Sequence, residues 1–275
     1  MRQSAKMARP LALLWAAQSE TGLVRRNNQD SYHAGDRLLA VADGMGGMAA
    51  GDVASRLTIE ALEPLEEAYA GHDVVDALRT AVADANRRIR DEVEADPAKQ
   101  GMGTTLTAIL FSGGRIGMVH IGDSRAYRLR GEEFEQLTKD DTYVQMLVDE
   151  GRIDLEEASS HPQRSLVSRV LQGQPTDPSY SIHQARPGDR FLLCSDGLSG
   201  VLRAETIEEV LREYADVEAC AARLVDLALR AGGPDNITAI VAEVVGDEPP
   251  EPGLRERLRA WLDRRSEVGA RLPTA

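Results

Sequence analysis

Two cysteines in 275 residues, Cys194 and Cys220, leave no disulfide scaffold, and their positions give no zinc-ligand spacing. Both fall in apolar or helical patterns and read as reduced core residues of a cytosolic chain. Basic residues are also short, 32 Lys and Arg against 45 Asp and Glu, a net charge of -13 that argues against a nucleic-acid footprint. No apolar run reaches the roughly 20 residues needed to span a bilayer as a helix. There is no internal repeat and no low-complexity core segment. The N-terminal stretch "MRQSAKMARPLALLWAAQS" has the outline of a signal peptide, but its apolar part is short and is expected to form a first core strand.

What is there is an ordinary globular composition, 42% hydrophobic and 28% charged, in a chain long enough to bury a sizeable core. Leu78, Val82, Ala85 and Ile89 recur at helical spacing, the second of two early helical patterns. "GTTLTAILF", "RIGMVHIG" and "RAYRLR" read as strands separated by glycine turns. A polar excursion from Thr138 to Gln174 carries short helical pieces, "TYVQMLVDEG" and "RSLVSRVL". The chain returns with "SYSIHQA" and "RFLLCSDG", then two helices, "TIEEVLREY" and "EACAARLVDLALR". The apolar run after "GGPDN" fits a strand buried on both faces. This order predicts an α/β sandwich. Beyond it, residues 246–253 form a proline-rich linker, and Leu254, Leu258, Trp261 and Leu262 line one face of a basic helix at 254–275. Such a helix packs on its own domain or touches a membrane surface or partner protein.

"VADGMGG" sets Asp43 at a strand's mouth among glycines, which suits a plain turn as well as a metal or phosphate site. The same context recurs at Asp123 in "IGDSR", Asp196 in "CSDG" and Asp235 in "GGPDN", with Asp30 in "NNQD" nearby in pattern. Carboxylates gathered at adjoining strand ends repel one another and pay for desolvation unless cations sit among them. An all-oxygen set favours magnesium or manganese over zinc. "GMGTTLTAIL" lacks the Gly-Lys-Ser/Thr ending of a nucleotide loop and reads as core packing.

"GLVRRNNQDS", "VADGMGG", "GTTLTAIL", "VHIGDSRAY", "LLCSDGL" and "GGPDNITAIV" occur in the order and approximate spacing of the metal-dependent protein phosphatases, the PPM or type 2C family. The resemblance covers about residues 10 to 245, and "KDDTYVQMLVDEGRI" and "HPQRSLVSRVL" are most similar to the actinobacterial branch that opposes eukaryotic-like protein kinases. It implies a four-layer α-β-β-α sandwich, two mostly antiparallel sheets flanked by helix pairs, spanning 1–245 with a mobile flap at about 138–174. It implies a serine/threonine phosphatase that uses two or three Mn2+ or Mg2+ ions and an in-line attack by a bridging hydroxide. Asp43 would bridge two metals, the Gly44 carbonyl would hold one, and Asp196 and Asp235 would complete the other. Asp123 and Asp196 would hold a third, which Ser165 would approach, and Arg25 would grip the phosphate. Asn236 would orient its turn or the water around the metals. Phosphoserine and phosphothreonine proteins, a eukaryotic-like kinase among them, are the implied partners of a monomeric, cytoplasmic enzyme.

Two departures from the family pattern stand out. Gln29 replaces a frequent glutamate, and Met45 and Met48 stand where family members carry a proton-donating histidine. Water in the metal shell is the expected donor, with His120 and His161 as alternatives. Arg26 reads as the owner of a surface salt bridge that leaves Arg25 free for phosphate. A pseudophosphatase and a phosphatase of anti-sigma-antagonist proteins are the competing readings; intact Asp43, Asp196 and Asp235 oppose the first and Arg25 the second.

Overall fold

The computed structural model describes residues 10–46, 50–68 and 73–247. Met48 and the helix expected at 254–275 lie outside these residues, as does most of the linker. The first sheet holds β1 (Ala12–Glu20), β7 (Arg125–Arg130), β8 (Glu133–Gln136), β10 (Arg190–Cys194) and β11 (Ile237–Val245), in the order β1-β11-β10-β7-β8. The second holds β2 (Asp30–Ala34), β3 (Leu38–Met45), β5 (Leu106–Ser112), β6 (Arg115–Ile121) and β9 (Ser179–Gln184) in that order, and the two-residue β4 (Gly103–Thr104) pairs with the end of β3. Every pairing is antiparallel.

The strand period of two explains the layering. On β3, Leu39 and Val41 point between the sheets and meet Ile109, Phe191 and Ile240, whereas Leu38 and Ala40 point outward. That outer face is covered by α1 (Gly51–Leu62) and α3 (Val74–Ala95), which bring Leu62, Leu78, Val82 and Ile89; the short α2 (Pro64–Ala68) joins them. After α4 (Tyr143–Asp149), α5 (Leu155–Ser160) and the single turn α6 (Asp196–Ser199), the pair α7 (Ala204–Glu213) and α8 (Val217–Arg230) covers the first sheet. There Ile207, Leu211 and Leu224 pack on Leu192 and Val241. Each such side chain withdrawn from water contributes about 1.5–3 kcal/mol, so strands covered on both faces anchor the structure. The four layers are those the resemblance implied. Cys194 and Cys220 are both free and buried.

The polar excursion leaves the sandwich after β8 and rejoins it at β9. "TYVQMLVDEG" contains α4, but "RSLVSRVL" is not helical, contrary to its sequence pattern. Its backbone groups are committed elsewhere: Leu171 and Thr104 exchange two hydrogen bonds at 2.9 Å, and Ser168 N–H donates to Asp141 O at 2.7 Å. The second helix is instead α5, whose start is fixed by a capping box between Asp154 and Glu157.

Candidate metal centre

Antiparallel register brings the acid-bearing turns to one end of the sandwich. Asp30 opens β2 opposite Asp43 near the end of β3; Val41 lies opposite Thr107, and Thr107 opposite His120, so the end of β6 and Asp123 follow. In the other sheet Cys194 pairs with Ala239 and Arg125, which places Asp196 and Asp235 at the same end. Five acids, from Asp30 to Asp235, thus converge because successive strands reverse.

Local geometry then fixes each turn. The Asp43 N–H donates to Thr105 Oγ1 at 3.0 Å, while Thr105 N–H and Thr104 Oγ1 donate to Asp43 O at 2.9 and 2.8 Å. Gly44 N–H donates to Gln29 O at 3.1 Å, and a Cβ on Gly44 would stand 2.1 Å from Gly51 O, so only glycine admits this approach of α1. Asp30 joins the two sheets: Ser195 Oγ and Thr238 Oγ1 donate to its Oδ2 at 2.7 and 2.6 Å. Asn236 is a clamp. Its Nδ2 donates to Thr21 O and Asn27 O, and its Oδ1 accepts from Gln29 N–H, all at 2.9 Å.

Electrostatics mark the cluster as strained. Burial first, then the charges of Asp30, Asp196, Asp123 and Asp235, holds the Asp43 carboxyl well above the ordinary aspartate range. Burial and Asp196 push Asp123 up to about 8, and burial pushes Asp30 up to about 6 against the two hydroxyl donors. Asp196 is raised by burial and by Asp235, with a hydrogen bond from Asp43 in opposition. Arg125 and Arg25 oppose this repulsion. Arg25 Nη2 donates to Asp235 Oδ2 at 2.6 Å, and Asp196 and Asp43 add to its raised pKa. Arg25 rather than Arg26 therefore makes the ion pair that the sequence pattern assigned to Arg26, because the turn carries residue 25 toward Asp235.

These residues fit a divalent cation. The donor set is all oxygen, its members repel one another, and the buried Oδ1 atoms of Asp30 and Asp196 have no hydrogen-bond partner. Among the described residues no three carboxylates or imidazoles stand ready around one point as they are disposed here. Here Asp235 is engaged by Arg25, and Asp196 by Asp43.

The remaining sequence assignments separate cleanly. Asp43, Gly44, Asp123, Asp196, Asp235 and Arg25 share this end of the sandwich. Ser165 is exposed in a turn of the excursion. His120 is unsuited to proton donation: it is 2% exposed, its nitrogens engage Thr107 Oγ1 and Lys139 O, and burial lowers its pKa. His161 caps the end of α5, and its Nδ1 accepts from Gln163 N–H. Met45 is partly buried at the end of β3. Asp30 has only a weak signal in the sequence, an acid in "NNQD" without a strand before it, and its donors Ser195 and Thr238 have none of their own.

A family model for protein phosphatase 2C matches residues 24–235. The chain belongs to this family. It is 58% identical over 235 residues to the serine/threonine protein phosphatase PstP of Mycobacterium tuberculosis, covering 86% of this chain and 46% of that one. The chain thus spans about half the length of that relative. The crystal structure of M. tuberculosis PstP/Ppp superposes with a TM-score of 0.84 at 57% identity, covering 85% of this chain and 99% of that one. The PstP catalytic domain in complex with two manganese ions superposes with a TM-score of 0.82 at 55% identity, covering 86% and 99%.

Proposed function

We propose that the chain is a metal-dependent phosphatase of phosphoserine and phosphothreonine proteins. The observation that carries this is Arg25 held over a buried, mutually repelling set of carboxylates at the ends of β3, β6, β10 and β11. In this reading Asp43, the Gly44 carbonyl, Asp196 and Asp235 hold two Mn2+ or Mg2+ ions, and Asp123 with Asp196 holds a third. Bound there, the ions would supply hydroxide from water near neutral pH and offset charge on the phosphoryl oxygens. The protein's own groups do the rest. Arg25 exchanges Asp235 for the substrate phosphate, whose oxygens match its donor fork. Asp30 orients its free Oδ1 by accepting the Ser195 and Thr238 hydroxyls at Oδ2. The threonines at 104 and 105 fix the Asp43 peptide and hence the carboxylate's direction.

The two-manganese structure of the PstP catalytic domain supports the metal choice, and the identity to PstP supports the substrate class. The catalytic unit is taken as residues 1–245 with the flap at 138–174. Its partners are phosphoproteins, a eukaryotic-like kinase among them, met by a monomer in the cytoplasm. No described helix is long and apolar enough to cross a membrane. The test is release of phosphate from a phosphothreonine peptide with manganese and with chelator, for the parent and for Asp43→Asn. Equal rates with manganese and with chelator would overturn the reading.

A further inference from the structure

Leu23 and Val24 are 69% and 68% exposed, more than any other large hydrophobic side chain among the described residues. The backbone beneath them is fixed. Leu23 N–H donates to Gly233 O at 2.7 Å, and Asn236 holds the carbonyls of Thr21 and Asn27. Gly22 adopts φ 78°, and a Cβ there would stand 2.1 Å from Asp235 O. The turn therefore cannot roll its apolar side chains inward without giving up these contacts. Two aliphatic side chains held in water on a rigid turn are poised to bury against a partner with little further ordering.

Their neighbours say which partner. Leu23 and Val24 directly precede Arg25, which reaches into the acid cluster. Consecutive Cα atoms are about 3.8 Å apart in any chain, so a residue beside a phosphorylated one held at Arg25 is within reach of this pair. Arg26 is exposed and makes no ion pair among the described residues. With Arg25 committed to Asp235, Arg26 is the charge beside this pair that complements an acidic segment, on a chain of net charge -13.

Building on the phosphatase reading, we propose that Leu23–Arg26 is a substrate-reading ledge. It takes an aliphatic or aromatic side chain directly beside the phosphorylated residue on Leu23 and Val24, and an acidic group farther along on Arg26. The occupant is the substrate phosphoprotein.

Two phosphothreonine peptides test this, identical except for leucine or serine on both sides of the phosphorylated residue, each with one aspartate farther along. The parent should favour the leucine peptide by about five- to twentyfold in kcat/KM, the order expected for an aliphatic group leaving water. In Leu23→Ser/Val24→Ser the ratio should fall below about twofold, with the melting temperature matching the parent. Arg26→Gln should lower kcat/KM for the aspartate-bearing peptide but not for its alanine counterpart, and salt should erase that difference. A parent ratio near one, or a ratio retained in the double variant, overturns the ledge while leaving the phosphatase reading intact. A changed sedimentation coefficient with an unchanged ratio would assign the turn to self-association and overturn it equally. Should the parent hydrolyse neither peptide in manganese, the phosphatase reading falls and the ledge with it.

Discussion

Replacing Asn236 by alanine should loosen the whole turn that carries Arg25. Its amide makes three hydrogen bonds of 2.9 Å, to Thr21 O, Asn27 O and Gln29 N–H, from a side chain only 4% exposed. At about 1 kcal/mol net for each bond, to partners that are exposed at Asn27 and half-buried at Thr21 and Gln29, the loss should be about 2–4 kcal/mol. For a domain of this size that is a fall in Tm of about 4–16 °C. Asn236→Asp should be at least as damaging in chelator, since a carboxylate offers no donor to the two carbonyls and adds a charge beside Asp235. Urea unfolding measures the stability; kcat/KM with a phosphothreonine peptide measures the site. A displacement of Arg25 by about 1 Å should cost up to about a hundredfold in kcat/KM. A stability loss under about 1 kcal/mol would refute the clamp, and full destabilisation with kcat/KM unchanged would refute its link to Arg25.

Other outcomes follow from the same geometry. Asp43→Asn and Asp235→Asn should each abolish manganese-dependent turnover and weaken manganese binding in calorimetry; binding as tight as the parent's would remove that residue from the ligand set. In chelator, stability should fall as pH rises from about 4 to 8. The raised folded pKa values of Asp30 (about 6) and Asp123 (about 8) mean the folded state binds more protons than the unfolded one across that window, so their contribution is complete below it and lost through it. Manganese should flatten or reverse that slope in urea melts; a rising slope in chelator would contradict the burial of these acids. His120→Gln should lower the Tm by several degrees and leave the alkaline limb of the kcat profile in place, whereas loss of that limb would make His120 a proton donor after all. Hydrogen exchange should be fast across residues 150–165 and slow at the base of the excursion, where Asp141 N–H, Ser168 N–H and Leu171 N–H are engaged; uniform exchange along 138–174 would refute this division.

Much of this was legible because strand ends and acids coincide in the sequence. The apolar runs ending at Asp43, Cys194 and Ile121, and the one starting at Ile237, are buried on both faces, and such runs announce themselves by composition alone. What stayed hidden depends on contacts across sequence separations that no local pattern records. "RSLVSRVL" has helical spacing, yet the partners that keep it extended, Thr104 and Asp141, lie far earlier in the chain. The roles of Arg25 and Arg26 could not be divided from the sequence either, since the difference is a matter of which way one turn faces. The sequence assigns Asn236 to its own turn or to water around the metals, whereas the fold shows its amide tying the last motif to the first.

The pairing of Asp235 and Asn236 explains why the fold and the chemistry cannot be separated at this end of the molecule. Asp235 offers its carboxylate to Arg25 from one side of the turn, and Asn236 holds the backbone on either side of Arg25 from the other. Arg25 needs such a two-sided hold: it is exposed, and an exposed ion pair alone contributes only about 0–1 kcal/mol, too little to fix a long side chain. The neutral buried clamp supplies the position and the exposed charge supplies the specificity. In the proposed phosphatase, a phosphate would displace Asp235 from the guanidinium while the three bonds of Asn236 keep the turn in place.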